Sequence, residues 1–364
     1  MSRYIYYFIL VTLVTNLIAS VPRILMRDSD DGVIQSMILA MFFGVSLTII
    51  VINLFRYFPN MTLPEILKKS TSKWFYFPVL LYFACSWYAA GLITLTTYVL
   101  MFNTFLSFET SMIFTTLAFL LIISFGLLIK AKSVLYMTEV VLIMFLPVIL
   151  FLIIKIYTDP KLDWDFVKVA MTYINVFPSY KTFSASSYIF IGAVNIVIFN
   201  KYIKIKKKAG IKQIAIISLM GIFTLFTTYF IPIGFNGFEQ IENLTFPWIT
   251  TSDSVRMKYS IIERVTFIFV ILFTGVAFIS LLIHWYVSLK LFESIFHFKK
   301  LQWKNKNLSS YLIILLFNLI AVFLPRQINE FELLKVSKLF YNLLPIFYGV
   351  LIVSLLIAKR RLKL

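Results

Sequence analysis

Apolar runs of about twenty residues recur along this chain, separated by short polar or proline-marked breaks, and a water-soluble core cannot absorb them. A helix needs about 20 predominantly apolar residues to cross the hydrocarbon core of a bilayer, where every backbone polar group must be satisfied internally. Reading from break to break predicts ten spans, at about 4–23, 33–55, 75–102, 109–129, 133–156, 183–200, 212–234, 262–289, 309–325 and 339–358. Breaks such as Asp28-Ser29-Asp30-Asp31-Gly32, Phe58-Pro59-Asn60 and Thr158-Asp159-Pro160 carry turn chemistry. With 60% of 364 residues hydrophobic and only 14% charged, the expectation is an all-α integral membrane protein. The start of the chain, Arg3 ahead of an apolar stretch ending at Ile18-Ala19-Ser20, has some signal-peptide character. Its length, its single basic residue and the spans that follow predict an uncleaved first span instead.

Ten crossings bring the chain back to its starting side, so both termini share a face. That face collects 22 of the 34 Lys and Arg residues, which makes it cytoplasmic by the positive-inside rule. Most acidic residues, from Asp28 to Glu332, fall on the other side. The net charge of +18 therefore reads as membrane orientation, and nucleic acid is not an expected partner. The run Lys204-Ile205-Lys206-Lys207-Lys208 can meet anionic lipid headgroups or act simply as a topological stop. Two longer outer connections lie at about 157–182 and 235–261. In the first, Phe166, Val167, Val169, Ala170, Tyr173, Ile174 and Phe177 have the spacing of a short amphipathic helix, on the membrane, on a partner or over the bundle.

Catalytic material is scarce. There is no phosphate-binding loop, no His-Glu-x-x-His, no Gly-x-Ser-x-Gly and no Cys/His cluster with metal spacing. Ser70-Thr71-Ser72-Lys73 fits Ser-x-x-Lys only formally, without companion motifs. Two histidines, His284 and His297, and one cysteine, Cys85, offer little for metal or nucleophile chemistry. Cys85 sits in an apolar run, where it is expected to pack as a small hydrophobe. A binder or conduit without cofactor or metal is expected, not an enzyme.

Polar residues inside spans carry more information, because lipid cannot satisfy them. Glu139 in span five, about two turns from Lys130 and Lys132, reads either as a titrating or cation-holding carboxylate or as a structural partner of a basic or hydroxyl group on a neighbouring helix. Span one holds Thr12, Thr15, Asn16 and Ser20 ahead of Pro22, and span six holds Ser184, Ser186, Ser187, Gly192 and Asn195. Such stripes serve as helix–helix contacts or mark unwound segments facing a ligand. Their place at the head of each half predicts a five-plus-five inverted repeat, about 4–156 and 183–358, with discontinuous helices one and six. Tyr88 in span three and Phe273 and Thr274 in span eight join Thr15, Asn16, Ser20, Ser187 and Gly192 as candidate ligand-lining residues.

The stretch from Phe238 to Pro247, followed by Ile262-Glu263-Arg264-Val265 at the head of span eight, resembles the B subunit of GerA-type spore germinant receptors, within the amino acid–polyamine–organocation superfamily. Members have a leucine-aromatic-proline turn and an Ile-Glu-Arg lead-in, here Pro247, Glu263 and Arg264; Pro22 stands at the family's Leu-Pro position, and Leu63-Pro64-Glu65-Ile66-Leu67 matches the segment ahead of span three. Family members commonly have a glycine before that Leu-Pro pair, where this chain has Asn16, Ala19, Ser20 and Val21. The resemblance implies a LeuT-like transporter fold used as a nutrient sensor in the spore inner membrane. It implies partnership with an A subunit and a lipoprotein C subunit, an amino acid or nucleoside ligand bound between spans one, three, six and eight, and ion release on binding. An ordinary proton- or cation-coupled amino acid transporter, with Glu139 as its coupling group, is the alternative.

Overall fold

Pro22 decides the shape of the first span. It has no N–H to offer the carbonyl four residues back, and its ring would collide with that carbonyl, which belongs to Ile18. In the computed structural model, helix α1 (Arg3–Ile18) ends at that residue and α2 (Ser20–Arg27) leaves at 50° to it. Ala19 at the joint has a ψ of −140°, far from helical, so the break forms without the family glycine. Tyr98 donates its hydroxyl to the Thr15 carbonyl at 3.0 Å, satisfying one of the carbonyls that the end of α1 leaves without a helical partner.

The structure describes residues 2–106, 109–203, 205, 208–257, 263–296, 302–303 and 306–363. Every extended element among them is helical; the exceptions are a two-residue antiparallel pairing, Gln302–Trp303 with Lys306–Asn307, and an isolated bridge between Arg256 and Arg264. Spanning helices follow as α3 (Val33–Phe55), α5 (Lys73–Phe105), α7 (Ala131–Tyr157), α11 (Ile211–Asn236), α13 (Val265–Ile295) and α14 (Ser309–Gln327), with α4 (Leu63–Ser70) a short connecting helix. The expected span at 109–129 is α6 (Met112–Leu127), whose 16 residues cover only about 24 Å of a hydrocarbon core about 30 Å thick. The last span begins well before the expected 339, because α15 (Glu330–Asn342) runs through Leu343 into α16 (Leu344–Arg361). Ile262 of the expected eighth span, Lys204, Lys206 and Lys207 of the basic run, and His297 lie outside the described residues.

The sixth span is broken like the first. Helix α9 (Tyr180–Tyr188) gives way to a 3₁₀ turn at Ile191–Asn195 and α10 (Ile196–Phe199), a change of direction of 54°. No proline acts here. Serines that compete for backbone hydrogen bonds weaken this stretch, and Gly192 lets it lie directly against α1: a Cβ there would stand 2.3 Å from the Phe8 carbonyl oxygen. Outward faces of α6, α7 and α14 carry exposed Ile122, Phe125, Met144, Phe151, Leu316 and Phe323, the apolar surface that lipid covers. The chain is a multi-pass, all-α membrane protein with both expected discontinuous helices. In the first long connection α8 (Trp164–Met171) forms where an amphipathic helix was expected; Val167 packs beside Gly234 of α11, while Phe166 and Val169 stay exposed. In the second, Pro247 opens α12 (Pro247–Ser254), and Arg264 stands at the head of α13 beside Glu263, whose carbonyl accepts the Met257 N–H at 2.9 Å.

Candidate functional site

A cavity of about 240 Å³ opens where the break in the sixth span faces α5, α13 and the α15–α16 step. Its walls are aromatic: Tyr82 and Trp87 from α5, Tyr188 beside the break, and Phe340 and Phe347 from the last span. The ring centroids of Trp87 and Phe347 are 5.0 Å apart, and Phe347 lies edge-on to Phe83 at 5.1 Å. Such ring pairs hold a wall rigid at little conformational cost.

Several polar groups interrupt the apolar wall. Trp87 donates its indole N–H to Asn195 Oδ1 at 2.8 Å, while Asn195 Nδ2 donates to the Gly192 carbonyl at 3.0 Å. That chain of bonds ties the unwound segment of the sixth span to α5. His284, buried on α13, has Nδ1 2.7 Å from the Ser280 carbonyl oxygen. A carbonyl only accepts, so Nδ1 carries the proton and Nε2 of the neutral ring is left as an acceptor. Neither His284 Nε2 nor the Tyr188 hydroxyl hydrogen-bonds to another described residue. The wall therefore offers a ligand the His284 Nε2 acceptor and the Tyr188 hydroxyl, with the Tyr82 and Ser86 hydroxyls also on it and no Asp, Glu, Lys or Arg among its residues. No group of three or more His, Cys, Asp or Glu among the described residues can hold a metal.

The eight candidate ligand-lining residues are not on this wall. Asn16 turns back to the Thr12 carbonyl at 2.8 Å, and Ser20 bridges Thr97 at 3.5 Å and Ser337 at 3.2 Å. Tyr88 points from α5 toward α14, donating to the Phe317 carbonyl at 2.9 Å and stacking on Trp285. Gly192 is filled by the backbone of α1, and Phe273 is fully buried against Phe269, 4.4 Å between centroids. Thr15, Ser187 and Thr274 are buried with hydroxyls that find no partner in the protein, which keeps them as groups a ligand or water can meet. Three of the four expected spans contribute to the cavity; the last span stands where the first was expected.

Glu139 Oε2 accepts from Arg3 at 3.1 Å and from the Tyr4 hydroxyl at 3.2 Å, a basic and a hydroxyl group on a neighbouring helix, because α7 starts beside the head of α1. One further expectation changes. Cys85 is exposed on the cavity rim and not packed inside, since it lies on the outward side of α5 between Ala84 and Ser86. Sequence reading passed over Trp87, Tyr188 and Phe347 because aromatics are everywhere in this chain. The available signals were His284 and Asn195, polar residues within apolar runs.

No curated protein matches the chain. Residues 3–359 match the model of a family described as spore germination protein.

Proposed function

The chain belongs to the spore germination protein family, a family of membrane permeases and receptors, and on that footing we propose that it is the nutrient-sensing subunit of a spore germination receptor. A small nutrient, an amino acid or nucleoside, binds within the membrane and biases the complex toward a state that releases ions. The cavity at the broken sixth span carries this reading. Its walls come from two halves of the chain, and one wall is an unwound segment tied to α5 by the Trp87–Asn195 bond. A ligand that contacts that segment favours one arrangement over another, and only such differential affinity shifts a population. The five-plus-five repeat, the cytoplasmic termini, the spore inner membrane and partnership with an A subunit and a lipoprotein C subunit belong to the same proposal.

The test is germination of spores lacking this chain across a panel of amino acids and nucleosides, with monovalent-ion release followed in the same samples. Loss of response to one nutrient class is expected. Normal germination on every nutrient overturns the reading. The transporter alternative rests on Glu139, whose partner Arg3 is exposed to water. Its signature is proton-linked uptake abolished by Glu139→Gln with folding retained; we expect that substitution to leave the nutrient response intact.

A further inference from the structure

A second cavity, of about 310 Å³, lies on the face opposite the chain termini and is lined by Arg23, Arg27, Glu242, Asn243, Leu244 and Phe331. Arg23 and Arg27 stand one helical turn apart on α2, so both reach the same side. Their guanidinium carbons lie 5.3 and 5.6 Å from the centroid of one ring, that of Phe331 at the head of α15. Arg23 is buried; among the described residues its one hydrogen bond goes to the Glu330 carbonyl at 3.0 Å, and the Glu330 carboxylate attracts it from beyond ion-pair distance. Among the described residues no carboxylate oxygen lies within ion-pair distance of either arginine; Asp28 next to them is taken by Lys338 at 2.5 Å. Two like charges a turn apart repel, and a buried guanidinium with no anion in contact is costly. Glu242 and the Asn243 amide stand on the same cavity wall, with the Glu242 carboxylate outside ion-pair distance of any described Lys or Arg.

From this juxtaposition we propose that the outer cavity is a binding site for a zwitterionic α-amino acid. Its carboxylate lies between the Arg23 and Arg27 guanidinium groups, where the planar forks suit it. Its ammonium faces Glu242 and the Asn243 side-chain oxygen. The inner cavity has no Asp, Glu, Lys or Arg on its wall, so only the outer one brings opposite charges together for both ends of such a ligand. The proposal deepens the nutrient-sensing reading and rests on it for the choice of an amino acid over a nucleoside.

The experiment uses the purified full chain in detergent and measures its thermal stabilisation by glycine, glycinamide, acetate and inorganic phosphate. Glycine is expected to stabilise at concentrations at least tenfold below acetate, and glycinamide to do nothing. Arg27→Gln, at an exposed residue, should weaken glycine at least tenfold; Glu242→Gln should reduce glycine to the level of acetate. Equal stabilisation of wild type and Arg27→Gln by glycine overturns the proposal. So does acetate or phosphate binding as tightly as glycine, which marks a simple anion site. Failure of this site is separable from failure of the nutrient-sensing reading. Spores lacking the chain that germinate normally while the chain shows Arg27-dependent glycine binding refute the sensor alone. A lost germination response with Arg27→Gln behaving as wild type refutes the site alone.

Discussion

Gly192 owes its place to what it lacks. A methyl group there would stand 2.3 Å from the Phe8 carbonyl oxygen and 2.6 Å from Thr12 Oγ1, both on α1. Gly192→Ala must push the broken sixth span off the first, and a loss of about 1–3 kcal/mol is expected from such overpacking, measured as a lower melting temperature in detergent. Asn195→Leu removes the acceptor of the buried Trp87 N–H, which costs about 1–3 kcal/mol for the orphaned donor. It should also move the nutrient concentration for half-maximal germination at least tenfold. Tyr88→Phe loses a bond to the Phe317 carbonyl away from the cavity, about 0.5–1.5 kcal/mol, and should leave that concentration where it was. A spore assay comparing the two substitutions separates wall from scaffold; equal shifts would remove the inner cavity from recognition. The sequence made these residues visible unevenly. Asn195 and Gly192 stand out in an apolar run, but whether a polar side chain turns back on its own helix, as Asn16 does, or reaches across to Trp87 depends on which helix lies opposite.

Short α4 shows how much an element can be read locally. Thr62 accepts from the Glu65 N–H, Glu65 returns a bond to the Thr62 N–H at 2.8 Å, and Pro64 fills a position that needs no donor. This signature is complete in the sequence. Its long-range ties are not: Lys201 reaches Glu65 at 2.5 Å, Asn200 donates to the Phe58 and Met61 carbonyls at 2.6 and 2.9 Å, and Arg361 donates to the Ser70 carbonyl at 3.3 Å. Partial burial pushes the Glu65 carboxyl up, but Lys201 and the Thr62 N–H outweigh it and hold the carboxyl below its ordinary value. The hydrogen bond to Glu65 raises Lys201 above the usual lysine value. The pair therefore stabilises fully between those two ranges. Its contribution is lost as pH falls through the depressed carboxyl pKa, and again as pH rises through the elevated ammonium pKa. Lys201→Ala should flatten both limbs of the melting-temperature profile against pH. The effect is well under about 1 kcal/mol, since water and salt screen a half-exposed pair; an unchanged profile would mean the pair does not form in the membrane. The breaks in the spans divide the same way. Pro22 announces the first, whereas the bend in the sixth span, at Ile189 and Phe190, has no proline and takes its shape from α1 behind it.

At the scale of the molecule, hydropathy carried most of the helical architecture, because the bilayer leaves helices few options. Ten crossings, as proposed with α6 counted among them, would put both ends in one compartment. Reporter fusions to the two termini are expected to give the same cytoplasmic signal, and opposite signals would take one crossing away, with the 16-residue α6 the first to reconsider. Packing between spans was not legible, since hydroxyls, glycines and aromatics serve equally as contact and as pocket wall until their neighbours are known. The two angled joints, 50° and 54°, also have a mechanical meaning. A straight rod through a membrane transmits only sliding or tilting as a whole, but a bent one is a crank. Helix α1 is an arm of 16 residues, about 24 Å long, so a swing of about 10° at Ala19 carries its far end through about 4 Å. That end holds Arg3 and Tyr4 on Glu139. A shift at the joint of less than the width of an atom is thereby geared up to a displacement of several ångströms at the opposite end of the helix.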